Sequence, residues 1–368
     1  MNLKRILIIK LWALGDVIMT IPLADAIKRH SPDCRISWMV EAGHAGILEG
    51  HPLVDEVIPF DSGAWRRDLR KGRIGSYLQT LFSLRRRISA SRFDAVINLT
   101  PEKSWTRLFS IAPVRVALYP HPVSTKVSRS YTTTFARPAG DQTHNSDYAL
   151  RALDALGILG VEGKMSLPID AERSARVMAQ LTAELPADQG RPLIVLHPGT
   201  SQETKCWPPS YFSRLIDRLS SRARIVITGS PAEAGLGQEI VSGVKIGRQA
   251  VWNAAGKFSH ILDTAMLVRQ AALVVTGDTS VLHIASAYDI PIVGIYGGTR
   301  PGRNGGRSKH VIALFNDAVP CAPCYLAQCK LAEPEQLRCL SSVEVDQVFV
   351  AVDALLRSPI NMMGAEAA

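Results

Sequence analysis

Lys205 lies in the stretch HPGTSQETKCWPPSYF (residues 197–212), close to Gly199, Thr200, Ser201 and Thr204. Hydroxyls, backbone amides and one ammonium in so short a span can hold phosphate oxygens. An ordinary loop with a solvated lysine explains the same residues. The GxxxxGK[ST] spacing is missing, which excludes a P-loop. A longer run, VVTGDTSVLHIASAYDIPIVGIYGGTRPG (274–302), has a strand ending in Gly277, after which Asp278, Thr279 and Ser280 open a helix with His283 on its first turn. The unpaired amides and positive dipole of such a helix end suit a diphosphate. Capping by Asp278 and plain packing of His283 account for these residues as well. Asp16, in LWALGDVIMTIPL (11–23), follows the first apolar run. It reads as a helix N-cap or as a carboxylate placed for general-base work, with Gly15 permitting a tight loop and close approach of substrate.

Cys321, Cys324, Cys329 and Cys339 form the pattern CAPC-x4-C-x9-C. Thiolates at such intervals hold zinc or iron in many proteins. Reduced buried thiols and a disulfide pair are the other readings, the latter rare in a reducing compartment. A metal here would be structural, tying down the tail loop.

Positioning these groups requires strands alternating with helices. Apolar runs of strand length occur at 5–11, 35–40, 54–60 and 93–99, then at 191–199, 223–230, 273–277 and 291–298, the last expected strand. Helical spacing fills 12–30, 78–91, 210–219, 261–272 and 281–288. Continuous rather than alternating apolar strands predict parallel sheets covered on both faces. The expected class is α/β, with two Rossmann-like domains: 1–175, then 176–345, followed by a helix and frayed tail over 346–368. Ligands of such folds bind at the carboxyl ends of the strands, and two facing domains would put the site in a cleft.

Composition removes other classes. The 368 residues are 46% hydrophobic and 20% charged, which excludes a long disordered chain and a small disulfide scaffold. No uncharged stretch reaches the roughly 18 residues of a membrane span, and Lys10 and Asp16 interrupt the signal-like N-terminus. A cytoplasmic protein is expected. Net charge is +9, with Arg66, Arg67, Arg70, Lys71 and Arg73 in one cluster and Arg85, Arg86 and Arg87 in another. These are a solvated helix face or a meeting point for anions. Basic residues without interleaved aromatics argue against nucleic acid. The absence of GxGxxG and GxSxG argues against dinucleotide oxidoreductases and α/β-hydrolases.

ILIIKLWALGDVIMTIPLADAIK, HPGTSQETKCWP, NAAGKFS, GDTSVLHIASAYDIPIVGIYGGTRP and the tail CAPCYLAQC occur here in one order. In that combination the chain resembles the ADP-heptose:lipopolysaccharide heptosyltransferases of glycosyltransferase family 9, which have the GT-B fold with two Rossmann-like domains facing across a cleft. The resemblance implies inverting transfer without a catalytic cofactor, from ADP-L-glycero-β-D-manno-heptose to the lipopolysaccharide inner core. It implies Asp16 as the base, Lys205 near the donor phosphates, and Thr200, Ser201, Gly277, Asp278, Thr279, Ser280 and His283 as donor contacts. Ser280 replaces the family's usual glycine, and Arg300 stands where many members have aspartate. Gly15, Arg66, Arg67 and Arg70 are the expected acceptor contacts, at the cytoplasmic face of the inner membrane. A protein acceptor such as an autotransporter, a UDP-sugar enzyme of the same fold, and a non-catalytic nucleotide-sugar-binding protein are the alternatives.

Overall fold

A computed structural model describes residues 3–101, 112–119, 129–185 and 190–357. The chain divides into two compact units, Met1–Pro168 and Ile169–Ala368.

The first unit runs β1 (Arg5–Ile9), α1 (Leu14–His30), β2 (Arg35–Glu41), β3 (Glu56–Phe60), α2 (Ser62–Arg70), α3 (Ile74–Ala90), β4 (Ala95–Asn98), β5 (Val114–Tyr119), β6 (Thr133–Ala136) and α4 (Asn145–Leu150). Its sheet is parallel, in the order β3-β2-β1-β4-β5-β6. Ile6, Leu7, Ile8 and Ile9 of β1 are all buried, because a central strand covered on both faces has no solvent side. The order reverses between β1 and β4, so the switch point of this sheet lies where β1 runs into α1.

The second unit contains α5 (Ala171–Glu184), β7 (Leu193–His197), α6 (Pro209–Leu219), β8 (Arg224–Ile227), α7 (Ala234–Gly243), β9 (Val251–Asn253), α8 (Ile261–Arg269), β10 (Leu273–Gly277), α9 (Ser280–Ala287), β11 (Ile292–Tyr296), α10 (Pro301–Asn304), β12 (Val311–Phe315), α11 (Arg338–Ser341) and α12 (Val345–Leu356). The parallel order β12-β11-β10-β7-β8-β9 repeats the plan of the first sheet, with the switch point between β7 and β10. Both sheets are parallel as expected, and the eight apolar runs fall on β1 to β4, β7, β8, β10 and β11, with β5, β6, β9 and β12 completing them.

Three expectations are corrected. The strand at 291–298 is not the last: the apolar run VIALF forms β12, an edge strand whose residues are only half-buried or exposed. The unit boundary falls at Pro168/Ile169, ahead of residue 175. Asp170 caps α5, accepting from the Arg173 amide at 2.9 Å, while Arg173 pairs with Asp263 at 3.0 Å and commits this helix to the second unit. The helix beginning near 346 is no appendage, since Val345, Val348, Ala351 and Val352 of α12 are buried in the second core beside Leu215 and Val293. The tail at 358–368 lies outside the described residues.

Candidate active site

Lys205 follows β7 and Asp278 follows β10, so both stand at the switch point of the second sheet. The Lys205 ammonium lies 2.9 Å from Asp278 Oδ2. His283, one turn into α9, places Nε2 3.8 Å from Asp278 Oδ1. The carboxyl group is buried. Burial pushes its pKa up, but contact with His283 and the Lys205 charge outweigh this and hold it at about 2. Asp278 is therefore ionised under all ordinary conditions, and it is not the cap of α9. That position belongs to Thr279, whose hydroxyl is 2.9 Å from that of Thr276 and makes no capping bond. The first amides of α9, Ser280 included, remain open to a ligand, as in any helix start without a side-chain cap. The His283 Nδ1 and the Thr299 hydroxyl are buried without a hydrogen-bond partner among the described residues. Buried polar atoms left open at a strand end are the expected mark of a ligand site.

Glycine permits the approach that forms this pair. A Cβ on Gly277 would lie 2.8 Å from the Lys205 carbonyl oxygen, and one on Gly298 would lie 2.6 Å from the Thr204 hydroxyl. The Gly298 amide donates to the Thr204 carbonyl at 2.9 Å. Gly277 thus serves close packing of the Lys205 turn rather than a loop conformation. Gly277→Ala is expected to displace Lys205, at a cost of roughly 1–3 kcal/mol in stability, and to lower turnover far more than it lowers the melting temperature. Matched thermal melts and initial rates check this; a fully active variant would refute the packing role.

Thr200 accepts from the Gln202 amide at 3.2 Å, shaping the loop, and Ser201 is exposed. Ser201, Glu203, Cys329 and Lys330 line one cavity of about 580 Å³ beside this loop. The cysteine-bearing segment closes that side. Glu203 accepts from the Cys329 amide and from Gln336 Nε2, each at 3.0 Å, Thr204 donates its hydroxyl to the Leu326 carbonyl, and the Tyr325 amide donates to Gly298. Glu203, Thr299 and Lys330 were not among the expected site residues. Only the hydroxyl of Thr299, directly after Gly297 and Gly298, had a local signal.

Asp16 occupies the first turn of α1, at the switch point of the first sheet, and is not its N-cap, which is Ala13. The Lys10 ammonium, at the end of β1, donates to Asp16 Oδ2 at 2.8 Å. Lys10 read as an interruption of the apolar run, yet it holds and orients the carboxylate. Gly15 lies within α1 and is not among the glycines with positive φ, so the tight-loop expectation for it is corrected. Of the expected acceptor arginines, Arg66 reaches this region, its guanidinium 5.2 Å from the Trp12 ring centre. Ser62 fixes the start of α2, donating to Glu41 at the end of β2 at 2.6 Å. Arg67 pairs weakly with Asp61 at 3.9 Å, and Arg70 is exposed at the far end of α2.

The six cysteines are free thiols. Among the described residues no group of three or more His, Cys, Asp or Glu side chains is placed to hold a metal ion. Burial and the neighbouring thiols of Cys321, Cys324 and Cys329 push Cys339 up to about 11, whereas Cys321 is exposed. Iodoacetamide near neutral pH is expected to modify Cys321 about a hundredfold faster than Cys339, following thiolate fraction and access. Equal protection of all four until a chelator is added would instead establish a bound metal.

The family model described as glycosyltransferase family 9 (heptosyltransferase) matches residues 81–334. Lipopolysaccharide heptosyltransferase 1 of Pseudomonas aeruginosa is 28% identical, over 96% of this chain and 99% of that protein. Among solved structures, a family 9 glycosyl transferase from Veillonella parvula superposes with a TM-score of 0.79 at 24% identity, covering 97% of this chain and 98% of that one. The E. coli heptosyltransferase WaaC with ADP gives 0.69 at 24% identity, covering 95% and 99%. The fold is that of these GT-B proteins: two Rossmann-like α/β units.

Proposed function

The chain belongs to glycosyltransferase family 9, and from that membership we propose that it transfers heptose, with inversion, from ADP-L-glycero-β-D-manno-heptose to the lipopolysaccharide inner core. The observation that carries the donor reading is the Lys205–Asp278 pair at the amide-bearing start of α9. In the reaction an acceptor hydroxyl oxygen forms a bond to the anomeric carbon while the bond from that carbon to the diphosphate oxygen breaks. The electron pair leaves with ADP. Lys205 and the α9 amides stabilise the negative charge that develops there. Asp278 holds Lys205 in place, and Thr200, Ser201, Thr279, Ser280 and His283 complete the donor set. Asp16 takes the acceptor proton, with Lys10 orienting its free oxygen towards the hydroxyl.

Nothing in this sequence of steps requires a metal or an organic cofactor, so transfer is expected to proceed unchanged in a chelator. Among the described residues no helix is long and apolar enough to cross a membrane. A cytoplasmic enzyme, peripheral to the inner membrane, is the setting this reading calls for.

The test is transfer from ADP-heptose to a panel of truncated lipopolysaccharide acceptors. Turnover of one acceptor supports the reading and identifies which heptose is added. Donor binding without lipid transfer would favour a protein acceptor or a non-catalytic binding protein, and preference for a UDP-sugar would replace the donor.

A further inference from the structure

The helical hairpin α2–α3 carries charge and apolar surface that the reaction does not use. Its inner face is well anchored: Trp65, Leu84 and Ile88 are buried against Leu7, Met39 and Phe93. Tyr77 stacks on Trp65, with ring centres 4.6 Å apart. The outer face differs from an ordinary solvated helix. Ile74, Leu78 and Phe82 are 60%, 39% and 64% exposed, and Leu69 at the end of α2 is 52% exposed. At about 100° per residue, Ile74, Leu78 and Phe82 share a sector roughly 80° wide. Arg85 and Arg86 are one turn beyond Phe82, and Arg70, Lys71 and Arg73 flank Ile74.

The charge is concentrated here. Residues 61–91 contain eight Arg or Lys and two Asp, 8 − 2 = +6 of the chain's +9. Asp61 and Asp68 face Arg67 and Arg73 at 3.9 and 3.6 Å, and Glu56 outside the hairpin takes Arg87 at 2.5 Å. Arg70, Lys71 and Arg86 have no acidic partner among the described residues.

We propose that this face docks on an anionic phospholipid bilayer, with Ile74, Leu78 and Phe82 entering the acyl boundary and Arg70, Lys71 and Arg86 meeting the headgroup phosphates. A soluble polyanion would complement the cations but leave the apolar stripe in water. A bilayer interface matches both, as basic amphipathic helices do elsewhere. The stripe also lacks exposed aromatic faces that bases would stack on, apart from Phe82 itself. The role of this face rests on the lipid-acceptor reading, but its test does not use turnover.

Flotation of the full chain with vesicles of phosphatidylethanolamine and phosphatidylglycerol is compared with phosphatidylcholine vesicles. The wild type is expected to float with the anionic vesicles only. Ile74→Ser/Leu78→Ser/Phe82→Ser and, separately, Lys71→Gln/Arg86→Gln are expected to weaken binding about tenfold or more. The serine variant should keep its melting temperature and its transfer to a deacylated, water-soluble acceptor. Should it fail to fold, the single Phe82→Ser, at a mostly exposed ring, gives the same readout. Undiminished flotation of the serine variants, or no flotation of the wild type, would overturn the proposal. So would loss in the charge variant alone, which would mark a soluble-polyanion surface. Vesicle binding without heptose transfer to any acceptor would condemn the lipid-acceptor reading and leave the docking face standing.

Discussion

Asp16→Asn is expected to lower kcat by about 10²–10⁴, the usual contribution of a positioned general base, while leaving ADP-heptose binding close to wild type. Asn keeps the size of the side chain and can still accept a hydrogen bond from Lys10, but it cannot take the acceptor proton. The effect therefore falls on the chemical step. Stability should change little, because Asp16 is half-exposed and its ion pair with Lys10 at 2.8 Å is partly solvated. Lys10→Met is expected to act in the same direction by about tenfold, through disordered placement of the carboxylate, with the pH profile of kcat/KM altered as well. Steady-state kinetics with isothermal titration of ADP separates these outcomes. An Asp16→Asn enzyme with normal kcat would remove Asp16 from the mechanism.

Lys205→Ala should lose about 10²–10³ in kcat, the scale on which one preorganised charge stabiliser is measured, together with weakened ADP binding. Asp278→Asn is the more informative partner. It retains shape but removes the charge that faces Lys205 at 2.9 Å and His283 at 3.8 Å. The expected costs are on the order of 2 kcal/mol of stability and loss of Lys205 placement.

The pH dependence has a definite sign. The Asp278 carboxyl is held at about 2, below its ordinary 3.8. Its contribution to stability is complete above pH 3.8 and disappears as the pH falls through about 2. Wild-type protein should therefore lose stability over that acidic interval, and Asp278→Asn should lose less of it there. Chemical denaturation at several acidic pH values checks this. Identical pH slopes for the two proteins would show that the pair does not stabilise the fold.

Most of the architecture was legible because a parallel sheet covered on both faces demands continuous apolar strands, and β1, β7, β10 and β11 each supply one. Of the strands that escaped notice, β6 and β9 are short and half-buried and give no run to detect, whereas β5 and β12 carry apolar residues in succession, VALY and VIALF, and were legible. Capping chemistry was a poor guide at both carboxylates. Asp16 and Asp278 each stand near a helix start, yet Ala13 and Thr279 hold the cap positions.

The sequence by itself determined two cycles of strand and helix and the residue types at their exits: Asp16 after β1, Lys205 after β7, and Asp278 after β10. Residues 205 and 278 are 73 positions apart, and no local pattern states that they meet. Their pairing was decided by strand order, which sets β10 beside β7 in parallel register, and by Gly277, where the missing Cβ leaves room for the Lys205 backbone. Lys10 was likewise only a break in an apolar run until the turn from β1 into α1 brought its ammonium onto Asp16. Local chain statistics specify elements through burial and spacing, whereas an ion pair between separate loops depends on long-range approach at the ångström scale, which packing alone supplies.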